Sequence, residues 1–519
     1  MNGARALLET LVAHEVDTCF MNPGTSEMHF VAALDDVTAM RSVLCLFEGV
    51  ATGAADGFAR LAGRPAAVLL HLGPGLGNGL ANLHNARRAH SPLVAVVGDH
   101  ATTHWKYDAQ LQSDIETVAR NVSTFVHTSL STESLSSDAA AAVAAAVGAP
   151  GSVATLILPA DVSWSEGASP VVGARAVPVA RPVDTTELDG AAAALRGSGP
   201  CAVLVGGRAC TGTALERAAA IATATGAKLL AETFPARLER GAGRPPVERL
   251  GYLAEFTAMQ LDGIAHLVLV DAASPVSFFA YPGKPSDLVP EGCQVHTVAG
   301  PGDDVDGALE ALAYLVGATP DQTPRQQAGP SGMPRGTLDA AAVAAVIGQL
   351  LPEGAIVSDE GNTSGLFVSG ATAGSPPHDW LCLAGGAIGQ GLPVALGAAI
   401  ACPDRRVVAL EADGSSLYTP QAWWSMARAG CDVTTVLLNN GSYAILNLEL
   451  DRVGAERPGP RAKDMLDLGR PDIDFVSLAR GLGVPAERAT TADELAAALS
   501  RSFATPGPSV VEVPVPSIL

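Results

Sequence analysis

Val407-Val-Ala-Leu-Glu-Ala-Asp-Gly-Ser-Ser416 runs from an apolar strand into a turn of small residues. A near-continuous apolar run of this length suits a strand covered on both faces, as in a parallel sheet. At its carboxyl end, Asp413 and the free N–H groups after it would face the crevice where open α/β sheets gather ligands. A helical pattern around Trp423-Trp-Ser-Met426 follows, then a second strand, Thr434-Thr-Val-Leu-Leu438, which ends in Asn439-Asn-Gly-Ser442. Two strand ends therefore face one crevice. Asp413, Asn440 and two phosphate oxygens would supply most of the six oxygens that magnesium requires. Alone, D-G-S reads as an ordinary turn; the second strand end is what raises it above that reading.

Working outward, a shift of 340 residues lays the first third of the chain on the last without a gap. Arg406–Asp413 falls on the strand ending at Gly73, Ser425–Ala429 on Asn85–Ala89, and Val433–Asn440 on Leu93–His100. Two related α/β units explain the agreement, although two Ala-rich units could also match by chance. Strands are expected at Ala66–Leu70, Leu93–Val97 and Ala154–Leu158, and in the middle at Ala202–Val205, Lys228–Ala231, His266–Val270 and Gln294–Thr297. The stretches Ser163–Pro182 and Thr319–Pro334 read as linkers. The expected fold is α/β, with three doubly wound parallel-sheet domains over residues 1–165, 186–318 and 336–519.

Composition narrows the function. Of 519 residues, 48% are apolar and 16% charged, which suits buried sheets rather than disorder. The formal net charge of -21 and the lack of a Lys/Arg run argue against a nucleic-acid partner. The eight cysteines are scattered without a C-x-x-C pair, so neither a zinc site nor a disulfide framework is indicated. No stretch of 18 uninterrupted apolar residues and no secretory pattern occurs, so no membrane association and a cytoplasmic location are expected. Val205-Gly-Gly207 is explained by a tight turn, for no G-x-G-x-x-G accompanies it.

Glu48 stands in Leu44-Cys-Leu-Phe-Glu-Gly-Val-Ala-Thr-Gly-Ala-Ala-Asp-Gly-Phe-Ala-Arg60, where a strand meets a helix of small residues. By itself it reads as an acid at a helix N-terminus. The run E-G-x-A-x-x-A-A-D-G-F-A-R, the later pair D-G-S and N-N-G-S-Y, and Gly385-Gly-Ala-Ile-Gly-Gln-Gly-Leu-Pro393 together resemble the thiamine diphosphate-dependent decarboxylase/acetolactate synthase superfamily, benzoylformate decarboxylase in particular. Ala412 stands where that family's motif has its first glycine.

The resemblance implies thiamine diphosphate and magnesium as cofactors. Asp413, Asn440 and the backbone oxygen of Ser442 would be the metal ligands. Glu48 would hydrogen-bond N1′ of the aminopyrimidine, and Ile388 would be the wedge beneath the folded cofactor. Thr363, Ser364, Gly386, Gly414, Ser415 and Tyr443 would complete the cofactor contacts. A buried carboxylate favours the protonated form of that nitrogen. The family's cofactor lies between the first domain of one subunit and the third of another, which implies a homodimer or homotetramer. The repeat places Glu48 on Ile388.

Asn22-Pro-Gly-Thr-Ser-Glu-Met28 and His71-Leu-Gly-Pro-Gly-Leu-Gly-Asn78 are strand-end loops. In the benzoylformate decarboxylase pattern they make Thr25 and His71 catalytic, with His71 steering the substrate carboxylate or shuttling a proton. A satisfied strand-end histidine is the alternative. The implied activity is that of a C–C lyase or carboligase on a small-molecule 2-oxo acid. One departure bears on it: the family's second histidine near Tyr-Pro-Gly is absent, and only Phe278, Phe279 and Ala280 stand there. The rival reading is an acetolactate synthase-type catalytic subunit, against which Leu111 occupies the place of an active-site glutamine and no FAD segment is evident, so FAD is not expected. A cofactor-binding homologue without catalysis is the reading from another class. Asp99, His100, His84 and His90 are left outside the site, the last two as a polar helix face.

Overall fold

The computed structural model describes residues 1–173, 179–329, 332–455 and 459–517. It contains three sheets built almost wholly of parallel strands, with helices packed around them. In the first, the strand order is Arg41–Leu44, Thr18–Asn22, Ala66–Leu70, Leu93–Asp99, Val153–Pro159, Phe125–Thr128. In the third, six of the seven strands run in the order His378–Leu381, Ile356–Glu360, Val407–Ala412, Val433–Asn439, Ser509–Pro514, Ala486–Arg488. The two orders correspond strand for strand, so the repeat seen in the sequence is a repeat of topology. Every residue of Ala66–Leu70, Leu93–Asp99, Val153–Pro159 and Val407–Ala412 is buried, as expected for parallel strands covered on both faces.

The middle sheet has the order Glu248–Arg249, Lys228–Ala231, Cys201–Val205, His266–Val270, Gln294–Ala299, all parallel. The order reverses at Cys201–Val205, which is where a doubly wound sheet opens its crevice. At that reversal Gly207 donates its N–H to Glu232 (3.2 Å) and Arg208 donates its own to Asp271 (2.7 Å). Burial pushes the Glu232 carboxyl up to about 7 and that of Asp271 up to about 6.

One strand departs from the expected plan. Leu238–Arg240, within the middle third, pairs antiparallel with His378–Leu381 and becomes an edge of the third sheet. Thr319–Pro334, expected as a linker, is tied down on its described part: the Gln326 carbonyl accepts the Gly243 N–H, Gln326 donates its own N–H to the Arg244 carbonyl, and Gly329 donates to Gly374. Residues 330–331 of that stretch, and 174–178 of Ser163–Pro182, lie outside the described residues. Ser163 itself belongs to a short helix, Ala160–Trp164.

The first and third sheets are joined by helix Glu48–Ala62 crossing helix Gly391–Ala401. The crossing is made of glycines: a Cβ at Gly57 would lie 2.7 Å from the Val394 Cα, and one at Gly397 would lie 2.7 Å from the Phe58 nitrogen. A single apolar cluster runs through both helices, taking in Val50, Phe58, Leu396 and Trp423. No described helix is long and apolar enough to cross a membrane.

Candidate functional site

Asp413 begins the turn after Val407–Ala412 and is 2% exposed. Its Oδ1 accepts the Gly414 N–H (2.8 Å), and its Oδ2 accepts those of Asn440 (3.1 Å) and Gly441 (2.6 Å) from the neighbouring strand end. Burial raises its pKa, and these N–H bonds oppose that rise. Asn440 donates through Nδ2 to Ser364 Oγ (3.0 Å) and accepts the Ser442 N–H on Oδ1 (3.0 Å), which fixes the orientation of its amide. The Asp413 carboxylate and the Asn440 amide oxygen thus meet at two adjacent strand ends, with Ser442 two residues beyond Asn440 on the same turn. They are hard oxygens, the donor type that magnesium takes. Among the described residues no group of three or more His, Cys, Asp or Glu could hold a metal, so an amide and a carbonyl would have to complete the set. Ser415 is 2% exposed, and a Cβ on Gly414 would run into the ring of Tyr443. Thr363 is half-buried beside Ser364 on the turn after Ile356–Glu360.

The loop carrying Gly386 and Ile388 follows Leu381. Ile388 is half-buried, and Gly386 has a φ of +78°, a conformation glycine adopts without strain. The Phe278 ring lies against Gly386, 3.2 Å from where a Cβ would stand. Phe278 in turn meets Phe234, Tyr252 and Phe279 at ring-centroid distances of 5.6, 5.2 and 5.7 Å. An aromatic wall therefore occupies the place where the sequence lacks a histidine.

Behind this loop lies a pair of fully buried acids. Glu360 accepts N–H groups from Gly389 (2.8 Å), Gln390 (3.4 Å) and Gly391 (2.8 Å). Its carboxyl is pushed up to about 7 by burial, while Glu411 is driven well above the carboxylate range by burial and by Glu360 beside it. Two such groups in one apolar setting do not both ionise near neutrality.

The first sheet carries the other residues. Glu48 is 6% exposed at the start of its helix and accepts a bond from Asn78 Nδ2 (3.0 Å). The stretch after His71, expected as a loop, is the start of helix Leu72–Arg88; a Cβ on Gly75 would stand 3.2 Å from the Glu48 carboxylate, so the glycines of that helix let the acid approach it. His71 Nδ1 lies 2.8 Å from Glu27 Oε2, which also accepts the Gly24 N–H (2.8 Å). Glu27 is 1% exposed; its Oε1 has no partner among the described residues and sits where a Cβ on Gly98 would be. Thr25 is exposed on the adjoining turn. Glu48, Asn78, His71, Glu27 and Thr25 form one group, and Asp413, Asn440, Ser442, Ser364, Ser415 and Tyr443 another. Among the described residues, no hydrogen bond or ion pair joins the side chains of the two groups.

Comparison with known proteins decides the family. The description "Thiamine pyrophosphate enzyme, N-terminal TPP binding domain" matches residues 1–120, and its C-terminal TPP binding counterpart matches residues 361–513. The chain belongs to the thiamine pyrophosphate enzyme family. Over its whole length it is 59% identical to a protein of Mycobacterium tuberculosis named "Putative acetolactate synthase large subunit IlvX", all of which it covers. It is 30% identical to the benzoylformate decarboxylase of Pseudomonas aeruginosa, over 99% of this chain and 98% of that one. The solved structure of a thiamine diphosphate-dependent 4-hydroxybenzoylformate decarboxylase from Rhodococcus jostii superposes with a TM-score of 0.86 at 25% identity, covering 99% of each chain.

Three features of this thiamine pyrophosphate enzyme carry no clear signal in the sequence. Glu27 lies inside a quoted motif but reads as one more loop acid; the signal was its position three residues after Gly24 and opposite His71. Glu360 and Glu411 were visible only as acids inside apolar strands. His84, read as part of a polar helix face, points a ring nitrogen at the Gly385 carbonyl (3.1 Å), so it belongs to the framework of the loop.

Proposed function

We propose that this thiamine pyrophosphate enzyme is a magnesium-dependent C–C lyase or carboligase acting on a 2-oxo acid, in the manner of benzoylformate decarboxylase. The observation that carries the reading is the junction of two adjacent strand ends, where the buried Asp413 carboxylate is bonded to the backbone N–H groups of Asn440 and Gly441 and the Asn440 amide oxygen to that of Ser442. When bound, thiamine diphosphate supplies the electron sink for making or breaking a bond beside a carbonyl. Asp413, Asn440 and the Ser442 carbonyl would hold the magnesium, and the backbone of Gly414 and Ser415 would face the diphosphate. Thr363, Ser364, Gly386 and Tyr443 would line the same cleft, with Ile388 as the wedge. Glu48 holds a proton at the aminopyrimidine N1′; its buried carboxylate, steadied by Asn78, is suited to that task. His71 and Thr25 receive the substrate. With Nδ1 committed to Glu27, the Nε2 of His71 is the nitrogen left to meet a carboxylate or pass a proton. Assembly as a homodimer or homotetramer, with a cofactor between subunits, belongs to the same reading.

A second reading, acetolactate synthesis from two 2-oxo acids, is favoured by the name of the relative at 59% identity. The two differ in product. Incubation with a panel of 2-oxo acids, with and without an acceptor, is expected to give carbon dioxide together with an aldehyde or a carboligation product. Glu48→Gln is expected to keep the cofactor and lose most of the turnover. Full activity in Glu48→Gln refutes the assignment; acetolactate from pyruvate as the main product selects the second reading.

A further inference from the structure

The loop Gly385–Gly389 is not held by its own sheet alone. Helix Leu72–Arg88 of the first sheet reaches it through three polar positions, 82, 84 and 85. Asn85 Nδ2 donates to the Ala387 carbonyl (2.8 Å), and its Oδ1 accepts the Ala387 N–H (3.2 Å), so one side chain satisfies both polar groups of that residue as a neighbouring strand would. Asn82 Nδ2 donates to Gly389 O (3.1 Å) and to Gly49 O (2.8 Å), and its Oδ1 accepts from Asn85 (2.9 Å). The His84 ring reaches Gly385 O. Every second carbonyl of the loop, at 385, 387 and 389, thus faces this helix, and Ile388 stands between two clamped residues. Asn82 is 2% exposed and Asn85 is 0% exposed. A Cβ on Gly385 would come within 2.7 Å of the Asn85 Cα, so the approach depends on the glycine there. The same helix carries Asn78, which holds Glu48.

We infer that Asn82 and Asn85 are positioning residues for Ile388; helix Leu72–Arg88 holds both the Ile388 loop and Glu48, which serve neighbouring active sites when the cofactor lies between subunits. The inference rests on the cofactor reading above for the roles of Ile388 and Glu48. Removing Asn85 leaves the N–H and carbonyl of Ala387 without their protein partner in a half-buried place, which a loop of five residues relieves by moving. A displaced Ile388 no longer holds a bound cofactor in a reactive fold, although the diphosphate end is still gripped by Asp413 and Asn440. The signature is therefore a split: cofactor affinity stays while proton removal slows.

Two measurements test it. In the cofactor-free protein, amide hydrogen exchange of the peptide spanning residues 383–392 is expected to quicken at least tenfold in Asn82→Ala and Asn85→Ala. It should stay unchanged in Arg87→Ala, an exposed position on the same helix. With thiamine diphosphate and magnesium bound, exchange of the cofactor C2 proton followed by NMR should slow at least tenfold in both asparagine variants, with the cofactor dissociation constant within threefold of the parent. Asn85→Asp, which keeps the acceptor and loses the donor, should fall between. If Asn85→Ala does not fold, Asn85→Asp and His84→Ala carry the same two readouts. Parent-like amide exchange, or parent-like C2 exchange with quickened amides, overturns the inference. Parent-like C2 exchange in Glu48→Gln overturns the cofactor reading instead, and the amide exchange of the cofactor-free protein then still tests the clamp independently.

Discussion

Gly397→Ala puts two effects of opposite sign in competition. Gly397 lies inside helix Gly391–Ala401, where replacing glycine by alanine in an isolated helix gains roughly 0.5–1 kcal/mol. In this fold the new methyl would stand 2.7 Å from both the Ala54 carbonyl carbon and the Phe58 nitrogen, and closer still to the Ala54 oxygen, where ordinary contact begins at 3.4 Å. Those neighbours are backbone, and the Ala54 oxygen would be only 1.8 Å away, so the two helices must part by about 1.6 Å to restore ordinary contact at 3.4 Å. Overpacking of this kind costs ~1–3 kcal/mol. A gap of about 0.5–1 Å already forfeits roughly a quarter to a half of each dispersion contact across the crossing. The clash wins, and a net loss of about 2 kcal/mol is expected. The assay is urea unfolding followed by circular dichroism, with Gly190→Ala as the reference. Gly190 lies in helix Thr185–Arg196, where an added methyl would meet only the His296 ring at 3.8 Å, so that variant should gain stability. A Gly397→Ala midpoint at or above the parent's would refute the close crossing of the two helices.

Asp413→Ala should abolish magnesium-dependent binding of thiamine diphosphate in titration calorimetry; binding as tight as the parent's would remove Asp413 from the metal set. Glu27→Gln keeps the shape but not the charge beside His71, and a fall of ~10–100-fold in kcat with an altered pH profile is expected, since an oriented acid–base group is worth roughly 10²–10⁴; an unchanged profile would separate Glu27 from the chemistry. Burial holds the folded-state pKa of Asp271 at about 6, above its ordinary 3.8, so the folded chain binds the proton more tightly than the unfolded one. Stability is therefore lost as pH rises from about 4 to 6, by ~3 kcal/mol, and Asp271→Asn should gain on the parent over that window in denaturation midpoints. His378 behaves in the opposite direction: burial lowers it from 6.5 to about 4 and leaves it neutral in the fold, so stability is lost as pH falls through that range, and a His378→Leu protein should be spared that loss.

Much of the architecture was legible because parallel strands write themselves as unbroken apolar runs. Ala66–Leu70 and Lys228–Ala231 were read with their observed limits, while Leu93–Asp99 and Gln294–Ala299 each extend two residues beyond the reading. Leu238–Arg240 left no such trace. It has one apolar residue, and its strand state is imposed by His378–Leu381, some 140 positions away. The site divides in the same way. Asp413 and Asn440 could be found from two strand ends, because the local pattern delivers them to one crevice. Glu27, Glu360 and His84 could not, because their meaning lies in partners that only the folded chain supplies: His71 for the first, the N–H groups of Gly389–Gly391 for the second, and the Gly385 carbonyl for the third. Loop acids and helix-face histidines are ordinary surface features until such a partner is known.

The glycine crossing bears on how a bulky ligand gets in. Two bodies that share one apolar cluster, with Val50, Phe58, Leu396 and Trp423 all within it, have no hinge between them. Swinging them apart would open the centre of the molecule rather than its edge. Entry and exit must then be the business of surface segments. Among the described residues after the Asn440 strand end, helix Ala444–Arg452 buries only Ala444 and Glu449, and helix Pro460–Asp464 buries none of its residues. A molecule so arranged would keep its catalytic frame rigid throughout turnover and assign traffic to a part of the chain that contributes little to holding it together.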